Sequence, residues 1–436
     1  MTPIPFAQAL RWWLRLGFIS FGGPAGQIAI MHEELVVRRR WISERRFLHA
    51  LNYCMVLPGP EAQQLATYIG WLLHGTRGGI AAGVLFVLPS LFILVALSWI
   101  YLAFGHVPAV AGVLYGLKPA VTAIVLHAAW RIGRRALRGP ALWTIAAVAF
   151  AAITFANAPF PLIILAAAVI GLAAGRLAPE QFRGPVHARA AEHAAPALID
   201  DDTPPPAHAR PSTARFASGL ALGLGLWGLA YGGLALALGT THTLVLMGGF
   251  FTGAALLTFG GAYAVLPYVV QAAVMKFGWL SATQMIDGLA LGETTPGPLI
   301  MVVAFVGFVG GWQQALLGPD ALFWSGAVAA GVATFFTFLP SFLFILLGGP
   351  LVEATREDVK FTAPLTAVTA AVVGVILNLA LFFADHVLWP QGSFDPMAAL
   401  ITAGAAIALF RYDAGIIRTL AACAALGLAV TLALPS

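Results

Sequence analysis

Charge is scarce in this chain. Asp, Glu, Lys and Arg together make up 9% of its 436 residues, where a soluble domain carries about 25%. So few polar groups cannot furnish a water-facing surface, which excludes a soluble fold with an outsized core. Cysteine is scarcer still. Cys54 and Cys423 lie in separate apolar runs, which excludes a disulfide framework and any cysteine-based metal spacing. The signatures of catalysis are missing too: no His-Glu-x-x-His, no Cys/His cluster, no Gly-x-Ser-x-Gly and no Walker-type loop. An intramembrane enzyme and a nucleotide-driven pump therefore lack their chemistry, and no metal or cofactor is expected. The formal net charge of +5 is no nucleic-acid signal, because the arginines stand in loops between apolar runs. No short apolar N-terminal stretch ends in a small-residue cleavage site, so no removed signal peptide is expected.

What the chain has in abundance is apolar residues, 60% of the total, in runs near the ~20 residues that a spanning helix needs. Thirteen such runs are legible: 6–30, 47–73, 78–103, 108–129, 141–157, 159–175, 216–238, 244–275, 285–311, 322–347, 361–383, 394–410 and 414–434. The expected fold class is an all-α integral membrane protein. Between the sixth and seventh runs, Asp200, Asp201 and Asp202 and the prolines 204–206 stand among Ala, His and Arg. That is the composition of a disordered linker. The chain divides accordingly into an N-terminal membrane repeat (1–175), a cytoplasmic linker (176–215), a connecting transmembrane helix (216–242) and a C-terminal membrane repeat (243–436).

The two membrane halves are related. Phe21-Gly22-Gly23 recurs as Phe259-Gly260-Gly261, Trp41-Ile42-Ser43 as Trp279-Leu280-Ser281, and Pro58-Gly59-Pro60 as Pro296-Gly297-Pro298, all at an offset of 238. Leu88-Pro89-Ser90 recurs as Leu339-Pro340-Ser341 at an offset of 251, which places a 13-residue insertion around Pro319. Ordered matches in a fixed register are the mark of duplication. Seven runs separate equivalent elements, and an odd shift inverts the second copy, the plan of many secondary transporters.

Arginine placement puts the N-terminus and the even-numbered loops in the cytoplasm. The first loop, with Arg38, Arg39, Arg40, Arg45 and Arg46, falls on the wrong side unless the first two runs of each half enter and return as helical hairpins. The alternative is ordinary kinked spans with one exceptional loop. The hairpin reading has a physical basis. Phe21-Gly22-Gly23-Pro24 and Pro58-Gly59-Pro60 interrupt their runs near the middle, because proline removes a donor and glycine admits strained dihedrals. Each interruption starts a new helix whose first N–H groups are free to meet an anion.

The candidate anion contacts are therefore Phe21, Gly22, Gly23, Pro24, Pro58, Gly59, Pro60, Gly260, Gly261, Pro296, Gly297 and Pro298, with the nearby polar residues Asn52, Gln63, Gln64, Thr294 and Thr295. Polar groups at membrane depth are expensive, although Asn52, Gln63 and Gln64 serve equally well for interhelical bonding, and the threonines for bonding their own helices. Glu61 and Glu293 are candidates for proton coupling, and Glu61 is alternatively a helix-start cap. Lys118 is a counter-charge for the anion or a snorkelling side chain. Glu33 and Glu34 read as a surface network with the arginines, and Trp41 and Trp279 as interfacial anchors.

The run Phe21-Gly22-Gly23-Pro24, Trp41, the stretch Leu57-Pro58-Gly59-Pro60-Glu61-Ala62-Gln63-Gln64 and its counterpart Gly292-Glu293-Thr294-Thr295-Pro296-Gly297-Pro298 together resemble the chromate ion transporter family. The likeness covers both halves and excepts the linker. It implies a multi-pass protein of the bacterial inner membrane that exports chromate, driven by the membrane potential or proton gradient, with sulfate as competitor or alternative substrate. One departure is that Phe259-Gly260-Gly261 continues with Ala262-Tyr263 where the first half has Pro24-Ala25. A passive anion channel on the same plan is the alternative function. The expected partners are the oxyanion and the lipid bilayer; a homodimer is compatible with the sequence.

Overall fold

The computed structural model describes residues 4–177, 196–204, 206–354 and 362–433. Among these residues the chain is all-helical, with one isolated bridge between Ile42 and Ile199. The first half comprises α1 (Phe6–Ile19), α2 (Gly23–His32), α3 (Glu44–Val56), α4 (Glu61–Phe104), α5 (Pro108–Ala136), α6 (Pro140–Phe155) and α7 (Phe160–Leu177). After α8 (Thr213–Leu238) come α9 (Thr243–Leu256), α10 (Ala262–Val270), α11 (Ala282–Thr294), α12 (Val302–Gln313), α13 (Leu322–Ala354), α14 (Thr362–Leu388), α15 (Pro396–Tyr412) and α16 (Ile416–Ala433). Six helices (α4, α5, α8, α13, α14 and α16) are long and apolar enough to cross a bilayer, and shorter apolar helices accompany them. The chain is a multi-pass membrane protein.

The opening of each half is built from helix pairs that fold back on themselves. α2 continues as π-helical turns over Glu33–Arg38, and α10 likewise over Gln271–Lys276. In the first pair, Arg39 returns to lie over the rings of Trp12 and Trp41, 5.2 and 5.3 Å from their centroids. At the equivalent positions of the second half, Phe277 stacks on Trp279 at 4.5 Å, and Phe250 sits 5.9 and 5.8 Å from them. A cation over two indoles and a cluster of three aromatic rings thus close the same corner. Trp41 and Trp279 are 5% and 2% exposed, so both rings are packed within the protein at the bases of these pairs.

The second pair of each half begins with an N-cap serine supplied by the repeated Trp-x-Ser. Ser43 accepts from Arg46 N, and Ser281 forms a capping box with Gln284, each cap contributing about 1 kcal/mol. In the first half Tyr53 and Tyr68 face one another across the turn at 6.0 Å. In the second half Gln313 donates to Gln284 at 3.0 Å. Both contacts require arms that run back side by side. α3 and α11 have 13 residues each, roughly 20 Å at 1.5 Å per residue, short of the ~30 Å hydrocarbon core.

Two long elements connect these pairs. α4 turns sharply at His74 and Gly75 (φ +64°), so the apolar runs 47–73 and 78–103 meet inside one continuous element. Its second arm starts beside the base of the first hairpin, where His74 Nε2 is 2.9 Å from Ile4 O. It ends beside the base of α11–α12, where Tyr101 donates to Asp287 at 3.0 Å and its ring lies 5.4 Å from Phe305. α13 runs the opposite way. It starts with Phe323 against Phe308 (6.0 Å) and ends with Glu353 accepting from Tyr68 at 2.6 Å. The remaining helices exchange partners between halves: α5 packs on α15 and α16, α14 on α6 and α7. Small residues permit this close approach. A Cβ on Gly427 would lie 2.5 Å from Gly116 Cα, and one on Gly374 would overlap Ala146 O.

Of the expected linker, residues 178–195 and 205 lie outside the described residues. The remainder departs from its composition: it docks. Ile199 is buried, its N–H donates to Trp41 O at 3.1 Å, and Ser43 donates to Asp201 at 2.6 Å. Arg46 donates to Thr203 O, and His208 Nε2 lies 2.8 Å from Trp71 O. Two apolar side chains, Ile199 and Ala209, are enough to seat a polar segment whose acids and carbonyls meet donors on α3. Glu33 and Glu34 pair with Arg38 and Arg39 at 3.0 and 2.9 Å.

Candidate functional site

The four helix interruptions meet in two crossed pairs. Gly59 N donates to Thr258 O at 2.7 Å, and Gly297 N donates to Ser20 O at 2.8 Å. Gly59 and Gly297 are equivalent in the repeat, as are Ser20 and Thr258, so each half supplies the donor for the other half's break. The glycines are required on two counts. Both have positive φ, +129° and +112°, which a side chain resists. Both also face a serine of the opposite half: a Cβ on Gly59 would overlap Ser341 Oγ, and one on Gly297 would lie 2.7 Å from Ser90 Cβ. Ser90 and Ser341 are the serines of the repeated Leu-Pro-Ser, each beside the proline in the middle of its long helix.

Buried polar atoms gather here without partners among the described residues: Ser20 Oγ, Gln27 Oε1, Gln63 Oε1, Gln64 Oε1 and Ser341 Oγ. Buried polar groups are normally satisfied, and other such atoms, among them Trp12 Nε1, Trp13 Nε1 and Thr334 Oγ1, lie elsewhere among the described residues. Gln27 is 1% exposed and donates to Gly297 O at 2.6 Å, spanning the first and fourth breaks. Gln64 donates to Pro58 O at 2.8 Å, bracing the second. Gln63 bonds Thr67 at 3.0 Å, one turn along its own helix.

The carboxylates collect at the third break. Glu61 opens α4 directly after Pro60, and its Oε1 lies 3.7 Å from where a Cβ on Gly261 would stand. Glu293 is 7% exposed and accepts a short hydrogen bond from Tyr263. Gly260 (φ +79°) is half-buried and Gly261 (φ +95°) is buried. At the first break, Gly22 and Gly23 also have positive φ, with no atom within 4 Å of a Cβ built on either, and Pro24 sits in the first turn of α2. Phe21 and Gly23 are half-buried and Gly22 is exposed, whereas Pro60, Pro296 and Pro298 are buried. Repeat symmetry holds in the backbone and fails in the acids.

The other candidates have the following surroundings. Thr294 and Thr295 donate to Leu291 O at 2.9 and 2.6 Å, the self-bonding alternative. Asn52 is half-buried on α3, and its side chain makes no hydrogen bond among the described residues. Lys118 has a partner: its Nζ is 3.5 Å from Asp287, which is 2% exposed and also accepts from Tyr101. A matching cluster occupies the opposite end, where Glu353 is held by Tyr68 at 2.6 Å and Arg46 at 3.8 Å. In both, a tyrosine and a cation of the first half hold an acid of the second.

Sequence reasoning passed over Ser20, Gln27, Thr258, Tyr263, Asp287 and Glu353. For Asp287 the signal was present, an acid inside the apolar run 285–311. In the sequence, Ser90 and Ser341 stand out only as members of the repeated Leu-Pro-Ser. Lys118→Met is expected to leave Asp287 buried without a counter-charge, which destabilises the fold by about 3 kcal/mol. The double variant with Asp287→Asn should recover most of that loss, read as the melting temperature of detergent-purified protein. An anion-binding role for Lys118 would instead leave stability unchanged and weaken substrate affinity.

The sequence profile of the family described as chromate transporter matches residues 7–172 and 244–428, both membrane halves and not the segment between them. A chromate transport protein of Pseudomonas aeruginosa is 35% identical over 400 residues, covering 88% of this chain and 83% of that protein. One of Cupriavidus metallidurans is 30% identical over 381 residues, covering 87% and 82%. A probable chromate transport protein of Synechococcus elongatus is 29% identical over 371 residues, covering 85% and 82%. No solved structure matches the chain.

Proposed function

The chain belongs to the chromate transporter family, and from that premise we propose that it is a secondary active transporter. It exports chromate, or a tetrahedral oxyanion such as sulfate, across the bacterial inner membrane at the expense of the proton gradient or membrane potential. The observation that carries this reading is the crossing of the breaks: Gly59 N to Thr258 O and Gly297 N to Ser20 O, in a setting of unpartnered buried polar atoms. Gly59 N and Gly297 N are taken up by this crossing, so the groups offered to an anion are the first N–H groups of the helices that follow the breaks, such as those of Ala62 and Gln63 at the start of α4, which replace its hydration without a buried arginine.

The antiparallel course of α4's second arm and α13 supports reading the halves as inverted repeats, with the four hairpins entering in pairs from opposite faces. Under that reading the N-terminus is cytoplasmic, in line with the arginine distribution. Glu61 and Glu293, together at the third break, serve as the proton-coupling groups. Neither acid has a counterpart in the other half, where Leu299 stands for Glu61 and Met55 for Glu293, and that asymmetry suits a machine in which one break binds substrate and the other carries protons.

Radiotracer flux in inside-out vesicles tests the reading. A proton gradient or membrane potential should drive chromate uptake above its equilibrium level, and excess sulfate should compete. Uptake that merely equilibrates under either force would identify a channel, and uptake of sulfate untouched by chromate would overturn the substrate.

A further inference from the structure

Away from the breaks, α8 stands off from the bundle. Gly223 is its one buried residue, while Leu222, Leu229 and Leu236 are 75%, 78% and 91% exposed. It touches α13 where Gly219 and Gly223 meet Leu347 and Leu343. Between α8, the second arm of α4 and α13 runs a groove of about 1050 Å³. Its walls are apolar, including Ile80, Val84, Leu222 and Phe338. From Phe216 to Leu226 it follows α8 for roughly 15 Å at 1.5 Å per residue.

One end of this groove is basic. Arg210 and Arg215 both line it, and neither has a carboxylate partner among the described residues. Arg215 is fixed in place, donating to Ala207 O, His208 O and Arg210 O at 3.2, 2.9 and 3.0 Å. Arg210 is exposed and its guanidinium makes no hydrogen bond or ion pair among the described residues. An apolar trough along bilayer-crossing helices, ending at two uncompensated guanidinium groups, is complementary to one chemistry: hydrocarbon tails attached to a phosphate.

We infer that the groove between α4, α8 and α13 holds an anionic glycerophospholipid, its phosphate at Arg210 and Arg215 and a tail along the apolar walls. The lipid fills the gap that α8 leaves. It joins the segment between the two halves to the long helices Ser90 and Ser341 stand on. Basic sites between helices near the membrane surface hold lipid headgroups in this manner, each cation contributing about fivefold in affinity.

Native mass spectrometry of the full chain in detergent, with phosphatidylglycerol or phosphatidylcholine titrated in, tests the assignment. The wild type should retain phosphatidylglycerol about tenfold or more in preference. Arg210→Gln should cut that preference about fivefold, and adding Arg215→Gln should abolish it. Because Arg215 also braces its own turn, Arg210→Gln is the decisive single change. Gly331→Leu fills the groove at a position where no atom lies within 4 Å of a built Cβ, and should reduce retention of both lipids. Equal retention of the two lipids by wild type, or an unchanged preference in Arg210→Gln, would overturn the site. So would a dimer mass with Gly331→Leu breaking it, which would make a second copy the occupant.

Discussion

Gly59→Ala and Gly297→Ala should each abolish transport and destabilise the protein by about 2–6 kcal/mol. The backbone at both positions has positive φ, where a non-glycine residue is strained by about 1–3 kcal/mol. The new methyl also meets a packed neighbour: Gln64 Nε2 at 2.6 Å and Ser341 Oγ for Gly59, Ser90 Cβ at 2.7 Å for Gly297, and overpacking adds ~1–3 kcal/mol. Moving that backbone lengthens the crossed bonds to Thr258 O or Ser20 O. Pairing Gly297→Ala with Ser90→Gly removes the steric part and leaves the dihedral strain, so it should restore thermal stability in part and transport less. Should Gly297→Ala bind and move chromate normally, the breaks are not the substrate site. Gly22→Ala and Gly23→Ala meet nothing within 4 Å and should show the dihedral strain alone, a milder loss.

Glu61→Gln is the second large effect. The amide keeps the size and the helix-start position but cannot exchange a proton. Uphill chromate movement driven by a proton gradient should fall within the range of about 5–150-fold typical of a coupling energy, while exchange of chromate at equal concentrations continues. The pH dependence of flux should flatten at the same time. Glu293→Gln is the companion test. Its side-chain oxygen can still accept from Tyr263, so folding is preserved and any loss of coupling reports the proton. A variant pair that keeps its full pH dependence would assign the coupling elsewhere, with Asp287 and Glu353 the other buried acids among the described residues to examine.

Much of the architecture could be read from residues in order. Proline and glycine act on their own backbone, so the helix ends near 20–23, 57–60, 257–261 and 295–298 were legible from the motifs without any partner. The repeated Trp-x-Ser was equally local, since a serine caps the helix that follows it. The site was harder. Gln27 sits in an unremarked stretch of α2, and nothing in its neighbours announces that it bridges to Gly297, 270 positions away. The reading of Lys118 left two options and missed the third, because its partner Asp287 lies on a helix of the other half. The docking of 196–204 ran against composition: a few buried groups suffice to seat a polar segment, and composition averages over them.

The sequence by itself determined that this protein lives among lipids, that its two halves carry the same motifs in the same order, and where proline and glycine interrupt its helices. These follow from side-chain solvation and from the stereochemistry of single residues, which act within a few positions of chain. Tertiary structure alone decided which break faces which, that the two halves exchange hydrogen bonds and helix partners, and that the acids gather at one break and not its twin. Those are matters of distance between residues hundreds of positions apart, and no local energy encodes them until the chain has packed.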